Sequence, residues 1–386
     1  MNNLFKILIS SGTLLAVGCG GGGGNQRAVN PAPAPIPGSF TATGDLTTAR
    51  TEHTATLLAS GRVLLAGGTV LEGSNAPTAS TETYDPATGA FTAAAPMGTP
   101  RSGHTATLLR DGHVLMAGGR GGAALAGAER YDPVSGAFSA VGAMTTPRIH
   151  HAAVLLTVGA DAGKVLIIGG EDASGTPLAS MEIFDPASGS FSLCPAALAA
   201  GRARHTATVL EDGRVVIAGG QDSAQVEIYA PATRTLSVAG TMLQARSAHT
   251  ATLLTGNRVL LAGGFAGGAL AGNEVCDLSR SAPTFTAALA MAVPRRDHSA
   301  TLLRSGGVLI TGGSPRPDGS GGTAQAELFD PGRLAFQPAG RTREDFRFGT
   351  ATLLPGGRVL VAGGWEFILE PSNYADLYQE GAGAPN

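Results

Sequence analysis

Short apolar runs recur along the chain, and turn residues separate them. In one representative stretch these runs cover 104–109, 114–117, 128–131 and 137–140. Short alternating runs are typical of β-strands, and no segment after residue 40 shows an apolar period of about 3.6 residues, which a helix would need. Asp111-Gly112 predicts a hairpin between the first two runs, and Asp132 to Gly136 predicts a turn between the last two. Each unit should therefore form four antiparallel strands.

Seven double glycines mark seven such units. They stand at Gly67-Gly68, Gly118-Gly119, Gly169-Gly170, Gly219-Gly220, Gly263-Gly264, Gly312-Gly313 and Gly363-Gly364. Their spacing of 44 to 51 residues is nearly constant. Such a period is characteristic of repeat architectures, and four strands per unit describe one blade of a β-propeller. The fold expected is all-β, with seven blades.

The units resemble the kelch repeat, as in the central domain of galactose oxidase. Each has a hydrophobic run, a Gly-Gly pair, a spaced Tyr and a later aromatic residue, and the resemblance covers about residues 38–380. The kelch pattern usually has Trp at the last position. This chain has other residues there: Phe91, Phe138, Phe191, Leu236, Phe285 and Phe336. Cys276 replaces the Tyr of the fifth unit.

The two ends of the repeat region predict how the ring closes. The last unit stops after its third strand, near Tyr378. Phe40 precedes Arg50 by ten residues, just as Phe91 precedes Arg101. A strand around Phe40 should therefore complete the seventh blade, which would remove the open edge of a linear array.

Residues 1–18 resemble a bacterial lipoprotein signal peptide. Lys6 gives a positive start, residues 7–17 are mostly apolar but too short to span a bilayer, and 16–19 resemble a lipobox. The resemblance implies cleavage before Cys19 and lipidation of that residue. Gly20 stands where an Asp usually retains such proteins at the inner membrane, so the outer membrane is expected. An ordinary secretory signal is the alternative.

Composition limits the remaining possibilities. Residues 19–37 read as a Gly/Pro-rich tether, 38–380 as the propeller and 381–386 as a tail. The net charge of -3 does not favour nucleic-acid binding. We expect a monomer without a cofactor, in contact with the membrane only through its lipid anchor. Cys194 and Cys276 fall in different blades, so no disulfide is expected between them.

Three charged or polar residue types repeat with the blades. Arg stands three residues before His at Arg50/His53, Arg101/His104, Arg148/His151, Arg202/His205, Arg246/His249 and Arg295/His298. A carboxylate stands two residues before each third-strand aromatic position: Glu82, Glu129, Glu182, Glu227, Glu274, Glu327 and Asp376. Residues repeated in nearly every blade serve what every blade needs, so we predict Arg–Glu ion pairs rather than a metal site.

Binding should involve positions that vary between blades. The first strand begins and the second ends on the same face, which therefore carries the His residues and the loops after Gly-Gly. The ligand-binding candidates on this face are Glu52, His150, Arg204, Asp297, Arg316, Arg347 and Trp365. A patch over blades six, seven and one is favoured, with Trp365 as an aromatic platform. Alternatively, Trp365 packs on Phe367 and Ile368, and the others are solvated loop residues.

The leading functional hypothesis is a non-catalytic module at the cell envelope that binds a protein, peptide or glycan. A carbohydrate-active enzyme is the alternative: a mutarotase, a lyase or an oxidase-like protein. Glu52, His150 and Asp297 would then be candidates for proton transfer. Galactose oxidase binds copper through Tyr and His ligands, and no residues here match that set. A structural partner of an envelope assembly is a third possibility.

Overall fold

Each repeat folds as one four-stranded antiparallel sheet. The computed structural model describes residues 38–71, 76–221, 223–366 and 371–381, and contains no helix within them. The predicted signal peptide, Cys19 and the tether lie outside these residues. The strands of blades 1 to 4, from the centre outward, are Thr54–Leu57, Val63–Ala66, Thr81–Asp85, Ala90–Ala94; Thr105–Leu108, Val114–Ala117, Ala128–Asp132, Ala137–Ala140; Ala152–Leu155, Val165–Ile168, Met181–Asp185, Ser190–Leu193; and Thr206–Val209, Val215–Ala218, Gln225–Ala230, Thr235–Thr241.

Blades 5 to 7 follow the same order. Their strands are Thr250–Leu254, Arg258–Ala262, Asn273–Asp277, Thr284–Ala288; Ser299–Leu302, Val308–Thr311, Thr323–Asp330, Ala335–Phe346; and Thr350–Leu353, Val359–Ala362, Ala375–Gln379, Ser39–Ala42. A small extra hairpin, Thr69–Leu71 with Ala76–Pro77, follows the second strand of blade 1. The prediction of an all-β, seven-bladed propeller with four strands per blade is confirmed.

The second strand of each blade is more deeply buried than the fourth strand at its outer edge. The second strands are buried throughout, as in Val165–Ile168, because neighbouring blades cover both of their faces. This is why they read as continuous apolar runs in the sequence. The fourth strands are mostly exposed, as in Ser190–Leu193.

Cys194 and Cys276 are unpaired and buried between blades, and burial raises the pKa of the Cys276 thiol to about 12. Both pack in apolar clusters as small side chains, and the thiol of Cys194 also contacts the hydroxyl of Tyr229 at 3.7 Å.

The ring closes through the N-terminal strand. Ser39–Ala42 pairs antiparallel with Ala375–Gln379, which places Phe40 opposite Tyr378. Their ring centroids are 5.0 Å apart, close to the 4.8 Å between Tyr84 and Phe91 in blade 1. The first strand of blade 7 also contacts the first strand of blade 1. The predicted closure is therefore confirmed, and the outer edge of Tyr378 is covered.

The double glycines allow the blades to approach closely at the central face. In blade 2, a Cβ on Gly118 would lie 2.8 Å from Cε1 of His151 in the next blade. A Cβ on Gly119 would lie 2.7 Å from the Cβ of His104 in its own blade. Both glycines also have positive φ, 62° and 90°. Side chains are therefore excluded here by contact as well as by conformation.

Candidate functional site

Six buried ion pairs hold the strands that support the central face. The Arg–Glu pairs are Arg50–Glu82, Arg101–Glu129, Arg148–Glu182, Arg202–Glu227, Arg246–Glu274 and Arg295–Glu327, with N–O distances of 2.6 to 2.9 Å. Arg148 also donates to the carbonyls of Gly169 and Ser180, while Glu182 accepts from backbone amides of the preceding connection. Each pair thus joins three segments of a blade, as the repeat pattern predicts.

Blade 7 keeps this arrangement although it lacks the repeated Arg and His. Arg343 approaches from the preceding strand, and its Nε donates to Asp376 at 2.8 Å. The ring of Phe346 fills the space next to Gly312, where the other blades have the next blade's His. The sequence departure therefore leaves no unpaired carboxylate at this point, although a small cavity remains next to Phe346 and Asp376.

The six repeated His side chains are buried around the central axis. Five share Nε2–Oγ1 contacts of 2.9 to 3.1 Å with a Thr of the preceding blade: His53–Thr350, His104–Thr54, His151–Thr105, His249–Thr206 and His298–Thr250. His205 is the exception, because blade 3 has Ala152 at that place, and its Nε2 is unpartnered among the described residues. Burial lowers the pKa of His205 to about 3, so the imidazole is neutral.

Above these His residues lies a closed ring of backbone hydrogen bonds. Its seven members are Glu52, Gly103, His150, Arg204, Ala248, Asp297 and Phe348, all in the left-handed conformation with φ of 50° to 58°. The amide of each donates to the carbonyl of the corresponding residue in the preceding blade, at 2.9 to 3.4 Å. We call these residues the central ring. With the His side chains they line a cavity of about 330 Å³.

A line of polar contacts crosses this cavity. Nδ1 of His150 lies 2.8 Å from Oε1 of Glu171, so it donates, and Nε2 is left to accept from Arg204 at 3.0 Å. The other terminal nitrogen of Arg204 lies 3.6 Å from Asp297. The hydrogen bond from His150 lowers the pKa of Glu171. His150 thereby orients Arg204, whose guanidinium lies between blades 3 and 6.

Asp297 is the most deeply buried carboxylate of the cavity. Its side chain is 9% exposed, and two guanidinium groups stand near it, Arg204 at 3.6 Å and Arg296 at 3.7 Å. Burial raises the pKa of Asp297, the two Arg charges oppose the rise, and Glu52 adds to it. Arg296 is itself held over the ring of Phe265, at 4.6 Å.

The structure divides the predicted ligand residues into two groups. Glu52, His150, Arg204 and Asp297 lie together in the central cavity. Trp365, Arg347 and Arg316 lie outside its lining: Arg347 stacks on Trp365 at 5.1 Å, and Arg316 is exposed in the loop of blade 6. Phe367 and Ile368, the alternative packing partners of Trp365, lie outside the described residues.

Three side chains of the site are not among the candidates that the sequence pattern indicates: Glu171, Phe348 and Arg296. Glu171 follows a Gly-Gly pair directly, and Phe348 is the aromatic member of the central ring, so the sequence contains a signal for both. Arg296 was overlooked, although the adjacent Arg295 and Asp297 make this segment unusually charged.

Comparison with known proteins agrees with this architecture. The kelch motif matches residues 153–196, which span most of blade 3. A solved structure of a fungal alcohol oxidase of the AA5 family, in complex with copper, superposes with a TM-score of 0.76. The two sequences are 17% identical, and the match covers 89% of this chain and 77% of the oxidase. No curated protein matches this chain significantly. The prediction of a kelch-type propeller with a galactose-oxidase-like scaffold is confirmed, and identity at this level establishes the fold alone.

The described residues do not fit the copper site of Tyr and His ligands that the resemblance to galactose oxidase would imply. Four tyrosines, Tyr84, Tyr131, Tyr229 and Tyr378, are buried at the repeat position between blades. Among the described residues no three His, Cys, Asp or Glu side chains converge as metal ligands.

The part of the chain that the structure describes has no helix long and apolar enough to cross a membrane.

Proposed function

We propose that this protein is a non-catalytic binding module at the bacterial cell envelope whose ligand enters the central cavity. One observation carries the proposal: the central ring has a single backbone geometry but a different residue at each of its seven positions. Residues with a purely structural role recur unchanged from blade to blade, as the residues of the Arg–Glu pairs do. Differences on an invariant scaffold are what selective recognition requires.

The polar contacts of the cavity support recognition without a large rearrangement. Arg204 is already oriented by His150, which is oriented by Glu171. Side chains fixed before binding lose little conformational entropy when a ligand arrives. The cavity lies on a ring of backbone hydrogen bonds, so its walls should move little.

An enzyme acting on sugars is the second candidate, and Asp297 favours it. The raised pKa of Asp297 would suit a proton donor beside a bound sugar. Two contacts weigh against this chemistry. Both ring nitrogens of His150 are already engaged, and the two guanidinium groups at 3.6 and 3.7 Å from Asp297 oppose the rise in its pKa. No contact of either side chain requires a chemical step, so binding is the better-supported function.

Anchoring at the envelope rests on the sequence. Lys6, the apolar residues 7–17 and the 16–19 box resemble a lipoprotein signal, and they lie outside the described residues. The ligand would be a peptide, protein or glycan that reaches the envelope surface on which the propeller is held.

A binding screen with cavity variants tests the proposal. The full chain, purified in detergent, is titrated against panels of glycans and peptides, and every binder is recovered and checked for chemical change. Arg204→Gln should weaken binding at least tenfold. Arg333→Gln removes an exposed Arg from the opposite face and should leave binding unchanged. Conversion of the ligand, or equal binding by Arg204→Gln, would refute a non-catalytic site in this cavity.

A further inference from the structure

Two carboxylates in the cavity lack hydrogen-bond donors. The side chain of Glu52 is half-buried, and within the described residues its carboxylate makes no hydrogen bond or ion pair. Asp297 is almost fully buried, and within the described residues its carboxylate accepts no hydrogen bond; the two guanidinium groups near it stay at 3.6 and 3.7 Å. Carboxylates withdrawn from water are unfavourable without donors. The two also repel each other, since Glu52 disfavours the charged form of Asp297.

A cation with several N–H donors would correct both deficits. A primary ammonium group carries three donors and one positive charge, so it can bridge two carboxylates. A hydroxyl group supplies one donor and leaves the repulsion in place. The carboxylate pair therefore favours an ammonium group over a neutral sugar hydroxyl.

Arg204 offers a positive charge and N–H donors that suit a negatively charged group of a ligand. One terminal nitrogen donates to His150, and the other is 3.6 Å from Asp297, beyond hydrogen-bonding distance. The side chain is 37% exposed, so N–H groups remain available to a ligand. Because His150 fixes the guanidinium, its remaining donors are presented in a defined direction, which suits a carboxylate.

We propose that the central cavity binds a small zwitterion, with Glu52 and Asp297 holding its ammonium group and Arg204 its carboxylate. The volume of about 330 Å³ lies at the small end of ligand sites and suits a free amino acid or a dipeptide. Gly103 and Ala248 leave room between the charged members of the ring, and Phe348 supplies an apolar wall. This inference rests on the proposed binding function and names its ligand class.

Matched ligands provide the first test, because they need no variant. The full chain in detergent is titrated calorimetrically with the free amino acids and a set of dipeptides. The strongest binder is then compared with its N-acetylated form, which has no ammonium group, and its C-terminal amide, which has no carboxylate. Each capped form should bind at least tenfold more weakly than the free form.

Variants assign each end of the ligand to its residue. Glu52→Gln should reduce the preference for the free over the acetylated form, with Asp297 retaining part of it, while keeping the preference over the amide. Arg204→Gln should do the reverse. Arg333→Gln, on the opposite face, should keep both preferences. Unchanged thermal melting of each variant shows that the fold is retained.

Contrary outcomes separate this inference from the function on which it rests. If neutral glycans bind in an Arg204-dependent manner and zwitterions do not, the zwitterion assignment is wrong and the binding function stands. Equal binding of free and capped forms also overturns the assignment. If neither zwitterions nor the glycan and peptide panels bind, both proposals fail.

Discussion

The six buried His residues should make the propeller sensitive to mild acid. Burial holds the pKa of His53, His151, His205 and His298 at about 3, and the pKa values of His104 and His249 lie well below the usual value. In the unfolded chain His has a pKa of about 6.5. As pH falls below that value, the unfolded state takes up protons that the folded state cannot, so stability is lost as pH decreases.

The size of the effect follows from the same values. At pH 5.5 an unfolded His gains about 1.4 kcal/mol by protonation, and the buried His gains almost nothing. Six such residues predict a loss of about 8 kcal/mol between pH 7.5 and pH 5.5. This is comparable with the whole stability of many domains, roughly 5–15 kcal/mol. The propeller should therefore be close to unfolding at pH 5.5.

Urea denaturation at the two pH values measures this loss. His104→Gln is the matched variant, since it removes one titrating ring while leaving a polar group near Thr54. Whatever its stability at pH 7.5, its pH-dependent loss should be smaller than that of the wild type by about 1.4 kcal/mol. A loss below about 2 kcal/mol in the wild type, or the same loss in both proteins, would show that the buried His residues can protonate in the folded state.

Three further predictions concern the fold and the anchor. Ala152→Thr should give Nε2 of His205 a partner and stabilise the protein by about 0.5–1.5 kcal/mol in urea denaturation; the same gain in a His205→Leu background, which offers no polar partner, would contradict this assignment. Deleting residues 38–44 removes Phe40 and uncovers Tyr378, so stability should fall by at least about 3–5 kcal/mol or the protein should aggregate, and an unchanged melting temperature would exclude the closure as a major source of stability. Cys19→Ser should release the protein from membranes in cell fractionation; a variant still in the salt-washed membrane fraction is anchored by another residue.

The sequence was sufficient for the architecture because each of its signals repeats. The Gly-Gly period determined the number of blades, and the spacing of Phe40 from Arg50 predicted which strand closes blade 7. Seven imperfect copies of one unit average out local ambiguity, which single strands cannot do. The Arg–Glu pairs were predictable for the same reason, since both partners recur in register.

Features that do not repeat could not be read in the same way. Arg343 lies outside the register of the repeated Arg, so its pairing with Asp376 depends on the path of the long fourth strand of blade 6. The contact of Arg204 with Asp297 crosses the cavity from blade 4 to blade 6, and the two residues are 93 positions apart in sequence (297 − 204). Side-chain direction across a central axis is set by three-dimensional geometry and leaves no spacing signal.

The left-handed backbone of the central ring separates the demands of the fold from those of the site. Gly103 shows that glycine is accepted at this position, and glycine is the residue that adopts positive φ without steric cost. The other six members carry side chains, each at a cost of roughly 1 kcal/mol in this conformation. The hydrogen-bond ring holds the backbone in every blade, with an Arg–Glu pair in blades 1 to 6 and the Arg343–Asp376 pair in blade 7, so the fold does not need those side chains. Their presence at a strained, cavity-lining position is therefore better explained by what they contact in the cavity than by what they add to stability.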